Sequence, residues 1–193
     1  MLKQSLNILI VALLLTTTFA VQRNCLDALD VNSRVSIFYI PAAVITIASL
    51  TLGYRAAIGI FLGGLVINFW LYPHVSPVSN ILISLVPALV CALTIFIMRI
   101  ANGKLGIFLR PGMGYTDIDA IDVLYFCILH SVLNTSIHQF IYYCNSEYDA
   151  KSDVYNFFSM MLGDLTGSFL VFVLLNLGFT ALKIMIRARP NKG

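Results

Sequence analysis

The chain has 193 residues, 59% of them hydrophobic and 11% charged, with a formal net charge of +3 and a mean hydropathy of +0.89. Soluble domains average about 45–50% apolar and about 25% charged residues, so this composition excludes an ordinary soluble enzyme or a nucleic-acid-binding domain and points to an integral membrane protein. At roughly 20 residues per crossing, the length predicts one all-α, polytopic domain of about six transmembrane helices, with no room for a soluble catalytic domain.

Six apolar stretches are predicted in chain order, over residues 5–21, 35–52, 56–72, 80–98, 122–143 and 157–185. The first follows Lys3 and is longer than the roughly 7–15-residue core of a signal peptide. It is read as a retained anchor, with cleavage after Ala20 as the alternative. Residues 22–34 are polar and mixed in charge, as a surface loop should be. Gly53, Tyr54 and Arg55 then form a turn so short that the second and third spans must be an antiparallel hairpin, with Arg55 at the membrane surface.

The third span carries Gly59 and Gly63 in GxxxG spacing, followed by Gly64. Small residues at that spacing let helices approach closely in lipid, and packing within the chain is preferred here to dimerisation. Asn68, Trp70 and Tyr72 close the span as an interfacial end. Pro73 and Pro77 mark a turn in which His74 is solvated. Pro87 lies inside the fourth span, where it should kink the helix and free a carbonyl.

Residues 99–120 form the longest polar connection, and residues 107–109 should lie along the membrane surface. Asp117, Asp119 and Asp122 lead into the fifth span and suit the positive end of its helix dipole. No ligand cluster accompanies them, so no metal site is predicted.

The fifth span carries the strongest functional signal, His130, Asn134 and His138 at i, i+4 and i+8. That spacing puts the three on one helical face, and the cost of polar groups in lipid turns the face inward. Three readings compete. The first is interhelical hydrogen bonding that fixes register, worth about 0.6 kcal/mol per contact. The second is a pocket for an unidentified small ligand or a proton, completed by Asp164, Asn68 or Tyr54; a histidine beside a carboxylate titrates near physiological pH. The third is metal or haem ligation. Eight helical residues separate the histidines by about 12 Å of rise, so they cannot share a metal, and haem would need His74 or a second subunit. No cofactor is therefore expected.

The last stretch contains Gly163, Asp164 and Gly167, with the glycines read as helix-packing residues. An Asp at the bilayer centre costs about 2.5–3.5 kcal/mol, so Asp164 needs a partner or water unless it lies near the outer interface.

Basic residues set orientation. With six spans and the N-terminus in the cytoplasm, Lys3, Arg55, Arg99, Lys104, Arg110, Lys183, Arg187, Arg189 and Lys192 fall inside, and only Arg23, Arg34 and Lys151 outside. Both termini are expected in the cytoplasm, in a bacterial inner membrane. Cys91 and Cys127 fall within spans as packing residues, while Cys25 and Cys144 near the outer face are a candidate pair. No HExxH, GxSxG or P-loop occurs, and His130 and Ser131 diverge by about 100° on a helix. The chain is not expected to be an enzyme.

Ile40, Pro41, Ala42 and Ala43, then Leu52 to Arg55, then Gly59 to Gly63 with Asn68, resemble the opening of the bacterial membrane-associated sensor domain (MASE, the first class of that name). The resemblance resumes at Asp122 to Phe126 and at Gly163, Asp164, Leu165, Thr166 and Gly167, similar to that family's Gly-Asp-x-x-Gly element, and it covers about residues 35–177. It implies an input module for signal transduction, of the kind joined to histidine kinases and cyclic-di-GMP enzymes. Here no output domain follows before Gly193, the usual additional spans are missing, and Leu174, Leu175 and Asn176 stand where a proline is usual. The implied function is a sensor or regulatory module signalling through a separate cytoplasmic or membrane partner. The alternative is a small transport subunit, since size and topology also resemble the substrate-binding component of an energy-coupling-factor importer. That family's Ala-x-x-x-Ala element is absent from the first helix, where Ala12 and Ala20 are eight apart.

Overall fold

Apolar runs punctuated by glycine, proline and charge fold into six helices among the residues that the computed structural model describes, which are 2–26, 29–32, 35–105, 120–144 and 154–187. In chain order these are α1 (Leu2–Cys25), α2 (Pro41–Leu52), α3 (Tyr54–Leu71), α4 (Pro77–Leu105), α5 (Ala120–Cys144) and α6 (Val154–Arg187). Helix covers 89% of the described residues. Among the described residues three helical segments are long and apolar enough to cross a membrane: Gln4–Cys25, Tyr54–Leu71 and Pro77–Ile100.

Around that framework, burial is locally inverted relative to a water-soluble protein. On α5 the polar residues His130, Ser131, Asn134, Thr135, His138 and Gln139 are buried, while Ile128, Val132 and Phe140 are exposed. On α1, Leu9 and Leu13 are exposed to 60% and 67%. Lipid favours this arrangement, because it solvates alkyl surface and leaves polar groups to find partners inside.

Gly53 is the single residue between α2 and α3, so the expected three-residue turn is tighter than its sequence suggests. Its φ of +59° is a conformation only glycine adopts without strain. Its N–H donates to the Ser49 carbonyl at 2.9 Å, closing α2, and its own carbonyl accepts from Ala56 at 3.0 Å, opening α3. Gly59 and Gly63 face α1. A Cβ on Gly59 would lie 2.8 Å from the Ile8 carbonyl, and one on Gly63 would lie 3.0 Å from that of Ala12. The GxxxG stripe is therefore filled by the chain's own first helix. α4 runs unbroken through Pro87, beginning earlier and ending later than residues 80–98.

The stretch 35–52 is not one helix, and this corrects the expected second span. Asp30–Asn32 (β1) and Val35–Ser36 (β2) form a short antiparallel hairpin, with Asp30 opposite Ser36 and Asn32 opposite Val35. Helix starts only at Pro41, which sits at the first helical positions where its missing N–H costs nothing. At 12 residues α2 spans about 18 Å, short of a hydrocarbon core of about 30 Å. Residues 22–34 likewise are not one loop, since α1 continues to Cys25 and β1 follows.

The non-helical segment 36–40 lies against α6, and its backbone is satisfied by side chains and by the helix. The Tyr39 N–H donates to the Gly163 carbonyl (3.1 Å), and the Thr166 hydroxyl shares its one proton between the Ile37 carbonyl (2.9 Å) and that of Leu162 (2.7 Å). The Gln22 side chain accepts from the Ile40 N–H (3.2 Å) and donates to the Ser36 hydroxyl (3.2 Å), which itself donates to the Phe38 carbonyl (2.8 Å). Irregular backbone at membrane depth is tolerated where protein covers it. Glycine makes the approach feasible, since a Cβ on Gly163 would overlap the Ser36 carbonyl and one on Gly167 that of Tyr39.

The apolar core gathers Leu15, Ile45, Ile60, Ile95, Met98 and Phe126 from five helices. Cys91 and Cys127 are buried within it, Cys91 beside the Ser49 hydroxyl at 2.9 Å. Cys25 and Cys144 are exposed free thiols, not a disulfide. Residues 107–109, Asp117 and Asp119 lie outside the described residues, as does the Asp122 side chain.

Candidate ligand-binding cavity

A cavity of about 120 Å³ lies among all six helices and the hairpin, in the half of the bundle that holds the C-terminal ends of α1, α3 and α5. The inward face of α5 contributes Asn134, His138 and Tyr142, successive residues at i, i+4 and i+8. Across from them α6 contributes Asp164, 2% exposed. The Asn134 Nδ2 donates to Asp164 Oδ2 at 2.8 Å. A carboxylate accepts only, which orients the amide and leaves Asn134 Oδ1 buried with no partner. Among the described residues Asp164 has no basic partner; the ion pair there is Arg23–Asp30, at 3.7 Å, between residues that line the same cavity.

His138 Nδ1 lies 2.9 Å from the Asn134 carbonyl. Because a carbonyl cannot donate, Nδ1 carries a proton. Asn68 holds the α3 wall, donating to the Gly64 carbonyl (2.9 Å) and to the Ser84 hydroxyl of α4 (3.0 Å). Gly64 allows α4 close to α3, its would-be Cβ 3.3 Å from Ser84. Pro87 also lines the cavity, at the turn where it withholds an N–H from the Ile83 carbonyl. Phe19 and Tyr39 meet edge to face at 6.2 Å on the α1 side.

Asn68, Asn134, His138 and Asp164 are thus brought together, whereas two of the predicted partners are not. His130 is buried one turn further along α5, stacked on Phe126 at 5.5 Å, with Nε2 unpartnered, and it does not line the cavity. Tyr54 begins α3 at the opposite end from Asn68, is exposed, and lies under the Arg99 guanidinium at 4.7 Å. His74 is exposed in the turn after α3 and packs on Tyr72 at 6.3 Å. Sequence reasoning missed Gln22, Ser36, Tyr39 and Tyr142. Tyr142 carried a usable signal, since it extends the His130, Asn134, His138 series by one more step of four. Ser36 and Tyr39 sit in backbone without helical periodicity, and Gln22 belongs to α1 although the sequence places it in a surface loop.

Comparison with protein-family models gives no match, and comparisons with curated proteins and with solved structures give none either. Among the described residues, fold and site together define a mostly helical protein with three helices long and apolar enough to cross a membrane and a cavity walled by every helix.

Proposed function

We propose that this chain is a six-span, multi-pass protein of a bacterial inner membrane, with both termini cytoplasmic, that takes a small ligand into its outer-half cavity and reports occupancy to a separate partner protein. It acts as a sensor or regulatory module in signal transduction, in keeping with the resemblance to the membrane-associated sensor domain. One observation carries this reading: a single cavity touches all six helices, so a ligand there contacts every element that could move. Binding drives a change of state only when affinity differs between two helix arrangements. A cavity built from every helix is where such a difference arises most directly.

Lipid-facing apolar residues and the nine-to-three division of basic residues support the six-span topology. The short α2 is compatible with it, because the covered segment 36–40 adds length to the second crossing. A mild-detergent pull-down of C-terminally tagged protein from native membranes, read by mass spectrometry, tests the function. Co-purification of a kinase, a cyclic-nucleotide enzyme or another signalling protein is the expected outcome. ATPase subunits would instead make the chain the substrate-binding subunit of an importer, with the same cavity as its substrate pocket, and would overturn the sensor reading.

A further inference from the structure

We propose that the cavity takes a small organic cation, a primary ammonium whose charge sits against Asp164 and whose N–H groups meet the acceptors beside it. This rests on reading the cavity as a ligand site. Two acceptors of the lining, Asp164 and Asn134, lack a counter-charge or a donor. Among the described residues Asp164 has one neutral amide donor and no cation, and Asn134 Oδ1 has no partner although Asn134 is only 4% exposed. An ammonium supplies three donors and no acceptor, and its charge offsets a buried carboxylate that is otherwise costly to keep ionised.

Shape and walls narrow the class further. Phe19, Tyr39, Tyr72 and Tyr142 line the cavity, and aromatic rings attract cations and supply apolar surface for an alkyl stem. The volume of about 120 Å³ is close to the roughly 150 Å³ of an apolar cavity that binds benzene, so the ligand has about six non-hydrogen atoms, too few for a nucleotide or a long polyamine. Among the described residues no three His, Cys, Asp or Glu side chains gather as a metal site, which favours an organic cation over a divalent metal. Arg23 at the same cavity is paired with Asp30, so its charge is partly offset.

The test uses the full chain in mild detergent at neutral pH, with thermal unfolding followed during titration with n-butylamine hydrochloride. n-Butanol, sodium butyrate and sodium chloride at matched ionic strength serve as comparators. A saturable rise in Tm with butylammonium, none with the comparators, and at least tenfold weaker binding in Asp164→Asn are expected. Asn134→Ala, which removes the orphan carbonyl, should weaken amine binding at least threefold, and Tyr54→Phe should leave it unchanged. Butanol binding as tightly as the amine, or undiminished amine binding in folded Asp164→Asn or in Asn134→Ala, would overturn the cationic class while leaving a ligand cavity. A saturable response to sodium chloride alone would replace the organic cation with an inorganic one. No response to any probe would overturn the amine and count against the ligand-site reading itself.

Discussion

Replacing Gly167 by alanine tests the close approach of the segment 36–40 to α6. In an unconstrained helix Gly→Ala is stabilising by about 0.8–1 kcal/mol. Here the new Cβ would overlap the Tyr39 carbonyl, a backbone atom that cannot rotate away. To make room, the segment 36–40 must lift from α6. That stretches the Tyr39 N–H bond to Gly163 and the Thr166 hydroxyl bond to Ile37, each worth about 0.5–1.5 kcal/mol net and more if a buried group is left unpaired. Overpacking of this kind costs about 1–3 kcal/mol, which outweighs the propensity gain. With that gain subtracted, a net loss of up to about 2 kcal/mol remains, and at roughly 2–4 °C per kcal/mol for a chain of this size Gly167→Ala should lower the apparent Tm in detergent by up to about 8 °C. Ser36 and Tyr39 also line the cavity, so the same variant should weaken ligand binding without altering any polar group on α5. An unchanged or raised Tm would refute the docking of this segment on α6.

Gly63→Leu should separate α1 from α3, because a larger side chain meets the Ala12 carbonyl and Leu15 at once; a destabilisation of about 1–3 kcal/mol, together with new protease sensitivity of α1, checks it, and wild-type behaviour would place the glycine stripe elsewhere. Cys25 and Cys144 are exposed thiols at helix ends on the cavity side, whereas Cys91 and Cys127 are buried. A membrane-impermeant maleimide added outside spheroplasts should therefore label the first pair and reach the second only after denaturation. Labelling of Cys25 and Cys144 from the cytoplasmic side alone would reverse the proposed orientation.

Much of the helical layout was legible because lipid imposes simple rules. The runs that became α1, α3 and α4 are apolar for long enough to read directly, and Gly59 and Gly63 announced a close contact without naming α1 as its partner. The inward face of α5 followed from the spacing of His130, Asn134 and His138, all of which are buried. Its partners did not follow. Tyr54 and Asn68 sit at opposite ends of one helix of 18 residues, about 27 Å long, so only one of them could reach the cavity, and hydrophobicity alone does not say which. Residues 35–40 were illegible for a different reason. Val35, Ile37, Phe38, Tyr39 and Ile40 are as apolar as any helical span, and what holds them out of a helix is contact with residues far along the chain, such as the Thr166 bond to Ile37 across 129 positions.

Gly163, Asp164 and Gly167 read in sequence as one short element, but their spacing divides them into two tasks on one turn of α6. Gly163 and Gly167, four apart, share a face and seat the backbone of Ser36 and Tyr39. Asp164, about 100° further round the helix, turns from that seat into the cavity to meet Asn134. The seat brings Ser36 and Tyr39 to the wall of the same cavity. Small residues and charge are therefore coupled: without the glycines the segment could not lie against α6, and the carboxylate would lose the side of its enclosure that Tyr39 supplies. That coupling explains why an ionisable residue can stand within an apolar helix, and why a change at Gly167, which touches no ligand, should be felt at Asp164.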